Sequence, residues 1–199
     1  MLSKLFVALN FRSDTALSRK IDGFKKRYDP KYRQRSFPHM ALLAPFEVNP
    51  TDVNNLGGEL KEELESFFYG HNSPLKLAFT GVGILQTKRN NVVHLIPSYC
   101  PDLKFCSDLV LDICTSFVPA GQKYKANDRQ FLPLGYFSLM DNMIEVIEQI
   151  KIEFSRNSEL TLDGISLYEQ KNGSWLLREE LISFEDNQDT FLQLQERSI

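Results

Sequence analysis

A strong charge of either sign is missing from this chain. Its 199 residues carry 23 Lys and Arg against 26 Asp and Glu, a formal net charge of −3. That balance excludes a global electrostatic pull toward nucleic acid, so any anion site must be a local basic patch. Cysteine is scarce as well. Cys100, Cys106 and Cys114 are odd in number and lack the spacing of a zinc site. Cys106 and Cys114 fall on apolar positions of a helical pattern, which reads as small core residues in a reducing, cytoplasmic setting. Long hydrophobic runs are missing too. Leu5–Leu9 is too short for a signal peptide and no small-residue cleavage site follows it, so it reads as a buried first strand. Nothing approaches a membrane span, and no membrane partner is expected. With no linker or low-complexity tract, residues 1–184 are expected to form one domain, with a polar tail over 185–199.

What is present alternates in period. After the first strand, Ser13 or Asp14 can cap a helix lined by Leu17, Ile21, Phe24 and Tyr28, which Asp29-Pro30 ends. Phe37–Phe46 reads as a strand carrying one histidine. Asn49 or Thr51 starts a second helix with Val53, Leu56, Leu60, Leu64 and Phe67 inward. Strands follow around Leu75–Phe79 and Val92–Ile96, joined through Lys88-Arg89-Asn90-Asn91. Asp102–Phe117 is helical, Phe131–Phe137 is an apolar run, and a helix from Ser138 or Asp141 to about Phe154 has Ile144, Val146 and Ile147 on its apolar side. Asn172-Gly173 between Ile165–Tyr168 and Trp175–Phe184 is a strong hairpin signal, with Trp175 expected to anchor the hairpin in the core. The hairpins require antiparallel pairing, so the expected class is α+β. Strand–helix–strand–helix occurs twice, which two pseudo-symmetric lobes of antiparallel sheet with outer helices around a central cleft would satisfy.

The segment RYDPKYRQRSFPHMALLAPFE, Arg27–Glu47, resembles the first motif region of the 2H phosphoesterase superfamily, which includes 2′-5′ RNA ligases and RNA cyclic phosphodiesterases. The likeness is greatest to a small bacillar branch, whose last hairpin the segment ISLYEQKNGSWLLREELISF, Ile165–Phe184, also resembles. The resemblance spans nearly the whole chain. It implies two His-x-Thr/Ser motifs, one per lobe. Residues i and i+2 of a strand share a face, so each motif turns an imidazole and a hydroxyl into the cleft. One imidazole accepts a proton, the other protonates the leaving oxygen, and the hydroxyls stabilise charge on the phosphoryl oxygens. The resemblance implies no metal and no cofactor.

This sequence departs from that pattern. His39 stands, but Ala41 takes the Thr position of the first motif. Anchored on Gly135, the second motif has Phe131 at its His position and Pro133 at its Thr position, and Asp128–Met140 contains no histidine. His39 is therefore a vestigial or residual catalytic group. His94 is the histidine that could substitute for the lost partner, against the blander reading of a half-buried strand residue; His71 reads as a surface residue at a helix end. Arg33, Arg35, Lys88, Arg89, Lys125 and Arg129 flank the expected rim and could draw in a nucleotide or RNA end, though each alone is usually a solvated charge. Tyr124 and Tyr136 could stack on a base. The readings are a non-catalytic binder of a nucleotide, RNA end or protein segment, a phosphodiesterase of altered mechanism using His39, or a module with a filled cleft that binds a protein partner. Arg35, His94, Arg129 and Tyr136 are the candidate ligand-binding residues.

Overall fold

The computed structural model describes residues 2–12, 15–29, 39–69, 75–88, 90–120, 130–138, 143–154 and 158–184. Its first strand, β1 (Ser3–Phe11), is buried without a break from Leu5 to Leu9. A strand reads as a continuous apolar run only when both its faces are covered. Leu5, Val7, Leu9 and Phe11 join the main core, while Phe6, Ala8 and Asn10 point to the opposite face. The chain then enters α1 (Ala16–Tyr28), whose cap is Thr15; its side chain accepts from the Ser18 amide at 3.0 Å. The expected caps Ser13 and Asp14 lie outside the described residues. Leu17, Ile21 and Phe24 bury one stripe of α1, each worth about 1.5–3 kcal/mol of transfer free energy. Lys25 and Asp29 continue that stripe at steps of four from Ile21.

The strand expected over Phe37–Phe46 is two short ones, β2 (His39–Ala41) and β3 (Phe46–Val48), both antiparallel to β1. Leu42 donates to Val7 O at 2.9 Å, and the chain then bends away through Pro45, which has no amide to offer a ladder. Next come α2 (Val53–Phe68), β4 (Lys76–Gln86), β5 (Asn90–Pro97), α3 (Pro101–Phe117), β6 (Leu132–Ser138) and α4 (Met143–Glu153). On α4 the expected apolar side differs: Ile144 is exposed and Ile150 is the buried residue. Arg27 ties α4 to α1 through both carboxylate oxygens of Glu153, at 2.7 and 2.8 Å. The hairpin β7 (Ser158–Lys171) to β8 (Ser174–Ser183) closes the described chain. Asn172 and Gly173 at its turn have φ of 52° and 80°, the left-handed pair that matches strand twist in a tight hairpin.

The architecture is α+β, with an eight-stranded antiparallel sheet and four helices among the described residues. The strand order is β2-β1-β7-β4-β5-β6, with β3 also on β1 and β8 also on β7. The long strand β7 joins the halves: Ser158–Thr161 pair with β4, and Leu162–Glu169 pair with β1. Each half ends in a strand–helix–strand unit, β1–α1–β2 and β5–α3–β6, whose last strand is the sheet edge. Those two edges, β2 and β6, approach each other, and α1 lies against β6.

Candidate functional site

Between the two edges lies an open cavity of about 740 Å³. From β2 it receives His39 and Ala41, from β6 Pro133, Gly135 and Tyr136, and from α1 Lys25 and Asp29. Phe6, Pro45 and the hairpin turn Asn172–Trp175 complete the wall. His39 is half-buried opposite Asn10 of β1. Its ring tilts against Phe6 at 5.6 Å and Tyr168 at 6.3 Å. Beside it, the Tyr168 hydroxyl donates to Asn10 Oδ1 at 2.9 Å, and Asn10 Nδ2 donates to Ser166 Oγ at 2.7 Å. Burial pushes the Tyr168 phenol above its ordinary range, so it stays a neutral donor. Trp175 is half-buried and stands edge-on to Phe6 at 4.6 Å, so this expected core anchor is part of the cavity wall.

Phe131 is elsewhere. Pairing of β5 with β6 shifts between Val93, opposite Gly135, and His94, opposite Pro133. Leu134 is thus a bulge residue. Beyond the bulge Tyr136 sits opposite Val92, on the same side as the His94–Pro133 pair. The β6 side chains on the His39 side are therefore Pro133 and Tyr136. Phe131 lies just before β6, its ring 4.6 Å from that of His94. Both line a second, smaller cavity of about 360 Å³ with Tyr99, Lys104 and Gln130. Of the two cavities, His39 lines the first, and Phe131 and His94 line the second. Phe131 precedes Pro133 by two residues, on the side of the strand that the His94–Pro133 pair shares. Arg35 and Arg129, and with them Arg33, His71, Arg89, Tyr124 and Lys125, lie outside the described residues.

The overall fold has parallels among solved structures. Escherichia coli LigT, solved with 3′-AMP, aligns over 90% of this chain and 97% of its own, with a TM-score of 0.56 at 12% identity. Usb1 of Kluyveromyces marxianus aligns over 87% of this chain and 96% of its own, with a TM-score of 0.53 at 11% identity. The fold is that of LigT and Usb1. No family model matches the chain. A Staphylococcus haemolyticus protein provisionally named a phosphoesterase is 36% identical over 47 residues, 24% of this chain. That match spans only about a quarter, 27%, of the staphylococcal protein.

Within this fold, sequence reasoning missed Lys25 and Asp29 as cavity residues. The signal was available: Lys25 is four residues beyond Ile21, a lysine on an apolar stripe. Both are buried, at 8% and 6% exposure, and lysine and aspartate are almost never that buried without a partner; each has one here. Among the described residues no group of three or more His, Cys, Asp or Glu is placed to hold a metal ion, and no helix is long and apolar enough to cross a membrane.

Proposed function

We propose that this chain is a 2H phosphoesterase-like protein that has lost hydrolysis and retains its cavity to bind a nucleotide or RNA end. One observation carries the reading: the cavity that holds His39 is open, yet a methyl group, a pyrrolidine ring and a phenol stand there as Ala41, Pro133 and Tyr136. In-line displacement needs a proton acceptor and a proton donor on opposite sides of phosphorus. His39 can fill one role, while His94 faces the other cavity. The volume lies within the range of small-molecule sites, and the walls are apolar and aromatic with a few polar groups, as such sites are. The nucleotides named with two neighbours of this fold, 3′-AMP on LigT and uridine monophosphate on Usb1, support this ligand class. An open cavity argues against the filled-cleft alternative.

The test is direct. Purified protein is expected to leave 2′,3′-cyclic nucleotides intact while binding nucleoside monophosphates. Loss of one proton-transfer group alone costs about 10²–10⁴ in rate. Hydrolysis abolished by His39→Ala would replace this reading with that of an active phosphodiesterase.

A further inference from the structure

The second motif no longer supplies a polar group to the cavity, but helix α1 does. We propose that Lys25 is the phosphate-holding cation of this site, so that anion recognition has moved from strand β6 to helix α1. The inference rests on the nucleotide-binding reading above. Lys25 lines the same cavity as His39 although it is only 8% exposed. A buried ammonium is costly unless anionic or polar groups surround it. It has a partner within the chain, and an ammonium carries three donors, so a phosphoryl oxygen can be an added acceptor. Its helical position is also unusual for an anion site. The C-terminal end of a helix carries partial negative charge, which opposes an anion there. Three cations in the last turn of α1, Lys25, Lys26 and Arg27, offset that field. Lys26 and Arg27 are exposed, and Arg27 is held by Glu153, which leaves Lys25 as the member of the trio that lines the cavity.

The opposing charge is Asp29, one turn further along and also in the cavity wall. With His39 neutral, Lys25 and Asp29 cancel, so the cavity is not a general anion trap. Selectivity then requires a ligand that also gains from the aromatic wall of Phe6, Tyr136 and Trp175, where a base can stack. That combination favours a nucleoside monophosphate over free phosphate.

Trp175 is the single tryptophan of the chain and lines the cavity, so its fluorescence reports occupancy. The experiment titrates the full chain with adenosine 3′-monophosphate, adenosine and inorganic phosphate at fixed ionic strength. Wild-type protein is expected to bind the nucleotide at least ten-fold more tightly than adenosine. Lys25→Met should bring the two within about two-fold of each other by weakening only the nucleotide, and Lys25→Arg should keep most of the difference. A folded Lys25→Met protein that discriminates as well as wild type would overturn the role of Lys25 while leaving nucleotide binding intact. Wild-type protein that binds neither nucleotide nor adenosine would overturn the binding reading itself, and the inference with it. Should Lys25→Met fail to fold, Asp29→Asn carries the test. Removing that carboxylate should tighten nucleotide binding several-fold and leave adenosine unchanged, and an unchanged nucleotide affinity would overturn the proposal.

Discussion

At the scale of single residues, His94 is packed closely by its neighbours. It sits directly opposite Gly83 on β4, and a methyl group at Gly83 would stand 2.4 Å from its Nε2. Nδ1 lies 3.2 Å from Val92 O, and Phe131 covers the ring. Glycine at position 83 is therefore the space that admits the imidazole. Gly83→Ala is expected to destabilise the protein by about 1–3 kcal/mol in urea unfolding, the usual cost of overpacking. His94→Ala should remove most of that penalty in a double-mutant cycle, and additive losses would refute the packing account. The thiols give a second residue-scale test. Burial pushes Cys106 from its ordinary 9.0 up to about 12 and raises Cys114 as well, aided by the charge of Glu59. Both stay protonated and unreactive in the folded state. One thiol, half-buried Cys100, should react with a disulfide reagent in native protein, and all three in denaturant. The raised thiols also contribute stability that is whole below pH 9 and falls as pH climbs toward 12.

At the scale of elements, the bulge in β6 decides what the second edge can present. Strand alternation alone puts positions 131, 133 and 135 on one face. With Leu134 extra, Tyr136 rather than Gly135 shares the face of Phe131 and Pro133. The triple variant Ala41→Thr, Phe131→His, Pro133→Thr would set its new imidazole beside His94, in the cavity away from His39. It is expected to remain without 2′,3′-cyclic phosphodiesterase activity in a sensitive fluorescent-substrate assay. Appreciable turnover would mean that position 131 reaches the His39 cavity after all. Proline at 133 belongs to the same element-scale logic, because β6 is an edge strand and an edge tolerates a residue with no amide to donate.

At the scale of the whole molecule, one long strand carries both halves, and the sheet's two edges make the site. Ligand seated between β2, β6 and α1 bridges segments that are far apart in sequence, so binding should stabilise the fold as a unit. At a hundred-fold excess over Kd, linkage gives about 2.7 kcal/mol. For a chain of this length that amounts to a rise in Tm of roughly 5–11 °C, at about 2–4 °C per kcal/mol. Differential scanning calorimetry with adenosine 3′-monophosphate should show this rise. It should shrink strongly in Lys25→Met, whereas a Tm indifferent to saturating nucleotide would count against ligand binding at the cavity.

The local signals in the chain were enough to determine its elements and its class. The apolar run Leu5–Leu9 is a strand covered on both faces, the stripe Leu17–Ile21–Phe24 is the buried side of α1, and Asn172-Gly173 is a tight hairpin turn. Period and turn chemistry are properties of neighbouring residues, so they are legible without a fold. Tertiary structure decided the membership of the site. The bulge at Leu134 depends on how β5 and β6 pair, which no count along one strand contains. Lys25 and Asp29 enter the cavity because α1 lies against β6, and Trp175 enters it because its ring packs edge-on against Phe6 of β1. Such contacts join residues more than a hundred positions apart, and only the closing of the sheet brings them together.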